Sequence, residues 1–411
     1  NTSTWNLKVP IGFTGTLNVD GNSIIAGSIN GGGTFNYITK TSTNVLNSNV
    51  SEFSGVLTVT ADNDGGSFVL SSDKGYERAK INLNNLVTMI YRNSSNIVIP
   101  VGDLTGTSTS VLGAGGTATA TITWQIGARN VNSTFNGKIT NAQYSGTGAV
   151  AAINKVGTGT WTLTNDNTFT GGTSILNGIL MVNNATGSGL GTGFVAVNSD
   201  ATLSGSGAVS GKIYVYFGGS LSPGNGLGSF TVNNDVEFQE GSFLTIEIDK
   251  PAAKNDTLKT SGNILMNGIL EINPSETTAF TNGDSFKIIS GNVSGVPATI
   301  TPAIPGDGLE WDLTELVSSG VLKVKTATGI RNPELITKVY PNPVKDILHV
   351  SVKESTQDLK VSLLNSVGQL VYSEIFTQPE FSLSTQQFPK GMYFLMIQSG
   401  TKTYSQTMIK N

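Results

Sequence analysis

The chain contains no cysteine. Disulfides and thiolate metal sites are therefore excluded, and stability must come from packing and hydrogen bonds. The absence also suits an exported protein. Histidine occurs once, at position 349, which leaves little material for imidazole catalysis. Charged residues make up 13% of the chain, about half the usual share. The 24 Lys and Arg are outnumbered by 28 Asp and Glu, for a net charge of −4. No basic run is present to neutralise a phosphate backbone, so nucleic acid is not an expected partner. No apolar run approaches the ~20 residues of a membrane-spanning helix. Helical periodicity is almost absent before residue 326.

What remains is Gly, Thr, Asn and Ser with scattered Val, Ile and Leu. There are 50 glycines among 411 residues, and hydrophobic residues are 37%. Low charge with low hydrophobicity would suit disorder. The β-branched residues argue against it, because they alternate with small polar ones. A short unit recurs: a Phe, a small polar residue, then Gly, then alternation. It appears at Phe13, Phe53, Phe135 and Phe169, at irregular spacing. Strand segments such as "GTWTLTN" and "NGILMVNN" are punctuated by Gly and Asn, which tolerate sharp corners. This pattern predicts a β-solenoid, in which each coil buries its apolar face only by stacking on the next. Around 175–182, Ile175, Ile179 and Met181 would share one strand face and Leu176, Leu180 and Val182 the other. With both faces apolar, that stretch is expected to be covered on both sides. "KGYERAKINLNNLVTMIYRN" (74–93) reads as strand, turn, strand. The opening "NTSTWNLKVPIGFTGTLNVDG" is already strand-like, and reads as a mature form or the C-terminal part of a longer protein.

Two stretches carry a resemblance. "KVGTGTWTLTNDNTFTGGTSILNGILMVNN" (155–184), followed by "GSLSPGNGLGSFTV" (219–232), resembles the autotransporter-associated β-strand repeat. The tail "GLEWDLTELVSSGVLKVK" (308–325) resembles the closing strands that follow such repeats. The resemblance is clearest over 150–326. It implies a right-handed parallel β-helix used as scaffold, and no chemistry. After a linker at 327–335 the texture changes. Strands "ILHVSV", "KVSLLNS", "QLVYSEIF" and "MYFLMIQS" alternate cleanly between turns near Gln357–Asp358, Gly368 and Lys390–Gly391, predicting a small antiparallel sandwich of about seven strands.

This last module, 336–411, resembles the type A sorting domain of the Bacteroidota type IX secretion system. The matching residues are Tyr340, Pro341, Asn342 and Pro343, then Gly368, then Gly391 and Tyr393, then the terminal "MIKN" with Lys410. The resemblance implies passage through an outer-membrane translocon, uptake by a shuttle barrel and removal by a surface sortase, with cleavage in or near 327–338. Independently of it, Pro341 and Pro343 fix φ and cannot donate ladder hydrogen bonds. That places the segment on an edge or ahead of the first strand.

The reactive candidates are few. His349 alternates inside a strand and reads as structural. "GSGAVSG" (205–211) and "GTGTW" echo dinucleotide fingerprints, but no helix is expected to follow them, so they read as solenoid corners. Candidate acid clusters are Asp62 with Asp64, and Asp73, Lys74, Glu77, Arg78 and Lys80; the second, the densest charge in the first 150 residues, suits a binding face but reads primarily as a solvated surface turn. Asp235, Glu237, Glu240, Glu247 and Asp249 form a later acidic stretch. Glu237 with Glu247 would suit Ca²⁺, but the calcium β-roll nonapeptide is missing and no metal or cofactor is expected. Trp5, Trp124, Trp161, Trp311, Tyr214 and Tyr216 are candidates for stacking on sugars. The aromatic face of "KIYVYF" reads primarily as a buried ladder. "DTL" (256–258) resembles a short O-glycosylation acceptor of exported Bacteroidota proteins, with Thr257 as the acceptor.

The expected architecture is all-β: a right-handed parallel β-helix over 1–326, then a small antiparallel β-sandwich. The expected function is type IX secretion cargo with a non-enzymatic stalk or adhesin scaffold, with a glycan as candidate ligand. The alternative is the C-terminal scaffold of a larger carbohydrate-active enzyme whose catalytic domain lies upstream of Asn1. A third reading has the solenoid itself cleave or bind a polysaccharide through Asp73 or Glu77.

Overall fold

The computed structural model describes all residues except 1, 20, 41–42, 63–64, 72–74, 93–94, 116–118, 143–147, 328–335, 353–357, 367 and 400–401. Asp64, Asp73, Lys74 and most of the linker therefore lie outside the described residues. The fold divides into two compact units. One comprises Asn1–Ala279, Ser285–Ala303 and Asp312–Lys323; the other comprises Phe280–Asp284, Ile304–Trp311 and Val324–Asn411.

The first unit is a parallel β-solenoid. A 14-stranded sheet contains strands from Thr14–Val19 to Thr299–Thr301. A seven-stranded sheet runs beside the early coils and stops at Lys138–Ala142. An 11-stranded sheet begins at Ile97–Val101 and accompanies the rest. Within these sheets successive strands pair in parallel with their equivalents one coil later, apart from the short antiparallel segment Lys254–Asn255. The shortest coils join Thr202 to Ser220 and Val195 to Ile213, and the longest joins Leu258 to Ile289. The recurring Phe unit accordingly falls at corners of different sheets. Phe53 precedes a strand of the 14-stranded sheet, Phe135 ends one, and Phe169 precedes a strand of the 11-stranded sheet. This explains its irregular spacing.

Alternation decides what lies inside. In the 14-stranded sheet, Trp161, Leu180, Leu203, Leu221, Leu244 and Leu270 are successive register partners, and all are buried. A second ladder runs Tyr37, Val59, Leu83, Gly106, Phe135, Leu163 and Val182. Gly106 is required there, because a Cβ would lie 2.6 Å from the Phe135 ring. Each buried Leu contributes about 1.5–3 kcal/mol. The expectation that 175–182 is covered on both faces is corrected. Ile175 ends one strand and Gly178 begins another across a corner, so parity does not carry over. Leu180 and Val182 point in, Ile179 and Met181 are half-exposed, and Leu176 is exposed.

Asparagines close the corners. Asn167 accepts from the Ile139 N–H at 2.7 Å and donates to the Gly189 carbonyl at 2.6 Å. Asn141 accepts from Ala151 and Thr170. Where the chain leaves the strand geometry, these amides satisfy backbone groups that the ladder leaves open. Residues 80–92 form strand, turn, strand, as expected: Lys80–Asn84 and Val87–Arg92. The segment read as closing strands differs. It holds a one-turn helix, Leu316–Ser319, between Leu309–Asp312 and Val321–Thr326. The helix ends at Gly320 with φ 67°, buries Leu316, and packs on Ile289–Ser294.

The second unit contains the antiparallel sandwich. Its three-stranded sheet has the order Ile336–Tyr340, Ile347–Val352, Glu380–Ser384. Its four-stranded sheet has the order Leu370–Phe376, Leu359–Asn365, Gly391–Ser399, Lys402–Lys410. Val344, Leu348, Val361, Leu363, Leu395 and Ile397 meet in a core with no exposure.

Leu180→Ala is expected to cost about 2–5 kcal/mol, the range for buried Leu truncations. Ile179→Ala, one residue away but facing outward, should cost roughly 1 kcal/mol or less. Urea unfolding of the two variants measures the difference.

Candidate functional site

The C-terminal module gathers the motif residues at one end of its four-stranded sheet. Gly391 is paired with Lys410, and Tyr393 lies between Asn365 and Met408. The Asn365 turn, closed by its own carbonyl accepting from the Gly368 N–H at 2.9 Å, belongs to the same end. Gly368 has φ 79°, a left-handed conformation that favours glycine. Tyr393 is buried, and its hydroxyl donates to the Pro389 carbonyl at 2.9 Å. Lys410 is buried, and its ammonium donates to an Asn411 oxygen at 2.6 Å.

The Tyr340-Pro341-Asn342-Pro343 segment docks along the edge of Lys402–Lys410. Proline has no N–H to offer, and the Asn342 side chain fills the gap. Its amide donates to the Thr407 carbonyl at 2.9 Å and accepts from the Ile409 N–H at 2.9 Å. Val344 then resumes backbone pairing, donating to Ile409 at 2.8 Å and accepting from Asn411 at 2.9 Å. Tyr340 is exposed, its ring 5.4 Å from that of His349. His349 is exposed too, with Nδ1 2.8 Å from the Ser382 hydroxyl on the adjacent strand.

Sequence reading missed a second feature of this sheet. Phe394 lies between Leu364 and Thr407, and Met392 lies beside Ile409, all on the outer face. Leu370, Ile375, Met392, Phe394 and Ile409 are exposed. The signal was present in "MYFLMI", where both parities are apolar although one must face outward.

On the solenoid, three of the charged candidates sit in ion pairs. Arg78 sits 3.7 Å from Glu52, and Lys80 sits 3.7 Å from the buried Asp103. Glu237 pairs with Lys212 at 3.2 Å. Glu237 and Glu247 lie in different sheets, so the structure does not join them as calcium ligands. Among the described residues no three His, Asp or Glu side chains form a cation-binding group. Lys155 is buried and donates to the carbonyls of Val156, Gly157 and Asn177 at 2.8–3.0 Å; burial lowers its pKa to about 8. Trp124, Trp161 and Trp311 are buried, leaving Trp5 as the exposed tryptophan. The expectation of a buried "KIYVYF" aromatic face is overturned. Ile213 and Val215 take the inward positions, so Tyr214 and Tyr216 face outward and are half-buried.

In "DTL", Asp256 is fully buried and accepts from the N–H groups of Gly228 and Glu247 at 2.8 and 2.9 Å. It serves the fold by stitching two coils. Thr257 is half-buried, and its hydroxyl donates to the Lys287 carbonyl at 3.0 Å.

A parallel β-solenoid and a seven-stranded antiparallel sandwich, the latter carrying the Tyr340–Pro343 segment on its edge, define a modular all-β protein. Residues 338–411 match the model of the secretion system C-terminal sorting domain, and residues 153–182 match the passenger-associated-transport-repeat. The chain thus carries a type IX sorting domain and passenger-type repeats, and it is exported to the cell surface or extracellular space. It is 33% identical over 128 residues to an extracellular serine protease of Serratia marcescens, covering 28% of this chain and 12% of that protein. It is 28% identical over 226 residues to the adhesin BmaC autotransporter of Brucella suis biovar 1, covering 53% and 6%. It is 26% identical over 191 residues to β-agarase A of Zobellia galactanivorans, covering 43% and 35%. The chain spans well under half the length of each of these relatives.

Two outcomes are expected. Asn342→Ala leaves two edge groups unpaired and should destabilise the C-terminal module by about 1–3 kcal/mol, visible as an earlier thermal transition. Burial raises the Asp256 pKa from 3.8 to about 6, with the Gly228 and Glu247 N–H groups opposing. Between these values the folded state holds more protons than the unfolded one, so stability falls as pH rises from about 4 to about 6. The stability of the protein relative to Asp256→Asn should decline across that window in urea titrations.

Proposed function

We propose that the solenoid is a non-enzymatic stalk with an adhesive role, delivered to the surface by the C-terminal module. The observation that carries this reading is how the rod's chemistry is used. Glu52, Asp103 and Glu237 are paired with Arg or Lys, and Asp256 is spent on backbone N–H groups. Its outward positions are largely hydroxyl and amide side chains that bridge neighbouring coils, as Thr105 does to Asn82 and Ser28 to Asn6. These bridges hold neighbouring coils together, a role that suits a scaffold rather than a hydrolytic site. The similarity to the BmaC adhesin supports the same reading.

The sorting module would be gripped by an outer-membrane translocon, handed to a shuttle barrel and cut by a surface sortase, with the cut in or near 327–338. Tyr340, the Asn342 edge and the outer apolar face of the four-stranded sheet supply the surface for those encounters. Gly368, Gly391, Tyr393 and Lys410 act by shaping it. Thr257 is the proposed O-glycan acceptor; attachment there would require its hydroxyl to leave the Lys287 carbonyl. The similarity to β-agarase A favours a second reading, in which this chain is the scaffold portion of a carbohydrate-active enzyme.

Deleting 336–411 should strand the protein in the periplasm, read by cell fractionation. Secretion of the truncated chain at the normal level would refute the sorting role.

A further inference from the structure

The outward face of the 11-stranded sheet changes character between Gly211 and Gly219. Elsewhere that face carries small polar or aliphatic residues, among them Val98, Asn154, Ser174, Leu265 and Ser294. Here it carries Lys212, Tyr214 and Tyr216, flanked by Phe194 and Phe217, which are 54% and 73% exposed. The fold does not need these rings, because Ile213 and Val215 already fill the inward positions. The two tyrosine rings are nearly parallel, 11° apart with centroids 6.3 Å apart. Lys212 Nζ lies 4.5 Å from the Tyr214 centroid and 3.2 Å from the Glu237 carboxylate on the next coil. Glu237 is the register partner of Tyr214, and the partner on the other side is Ala196, whose short side chain leaves that flank low. The amide residues Asn198 and Gln239 follow the two flanking strands.

We infer that this face is a binding platform for a neutral carbohydrate chain. A pyranose ring is amphipathic: its C–H faces suit aromatic rings, and its hydroxyls suit amides, carboxylates and ammonium groups. The Lys212–Glu237 pair is neutral in sum, so the platform offers polar contacts without selecting for a charged ligand. The same pair clamps Tyr214, so the ring is ordered before binding and less entropy is lost when ligand arrives. This inference rests on the adhesive reading and names its ligand class.

The full chain, electrophoresed through native gels containing laminarin, galactomannan or agarose, should be retarded by at least one of them. Tyr214→Ala/Tyr216→Ala should weaken that retardation about tenfold or more, and Lys212→Ala should weaken it roughly threefold, with strand content by circular dichroism unchanged. Trp5→Ala/Phe13→Ala, which removes exposed aromatics elsewhere, should leave it intact. Four results on the gels would overturn the inference: no retardation by any neutral polymer, retardation by alginate alone, equal retardation of the double tyrosine variant, or loss through the Trp5/Phe13 variant. The adhesive reading is judged separately by binding of the purified chain to whole cells, so cell binding that persists in the double tyrosine variant would overturn this platform and leave that reading standing.

Discussion

Parallel pairing of each strand with its equivalent one coil later is the constraint on which the solenoid rests. It satisfies backbone groups along the rod and stacks like residues into ladders, as from Trp161 through Leu270. A single coil has no core of its own. Its Leu or Phe is buried only because the coils before and after supply the walls. This is why so modest an apolar content, 37%, suffices for so long a chain. The inward positions are few per coil, and each is used.

The same constraint governs the polar residues. A chain that turns at every coil leaves N–H and C=O groups open at the corners, and buried open groups cost about 1–3 kcal/mol each. Asn141, Asn167, Asn184 and the buried Asp256 repair those corners. Lys155 does the same with three carbonyls. The scarcity of charge follows, since a corner mended by an amide needs no counter-ion. In the C-terminal module Asn342 plays a comparable part, standing in for donors that its two flanking prolines lack.

Sequence reading reached the β-solenoid, the antiparallel sandwich and the sorting motif because each is written in short-range signals: alternation, turn residues and a fixed motif order. It went wrong where an answer depended on which side of a corner a residue lay. Ile175 and Ile179 have the same parity but belong to different strands, so counting by twos failed between them. For Tyr214 and Tyr216 the alternation with Ile213 and Val215 was visible, yet a face of either polarity is compatible with it. Only the packing of the coil settled that the aliphatic side is inside.

The sequence by itself determined the class of fold and the division of labour between a low-charge rod and a motif-bearing end module, because backbone propensity and periodicity are local properties. The tertiary structure decided which residues share a surface. The convergence of Asn342, Gly391, Tyr393 and Lys410 on one sheet end, and the outward display of Tyr214 beside Glu237, depend on strand register. Register is fixed by cooperative packing between segments far apart in the chain, and no local pattern encodes it.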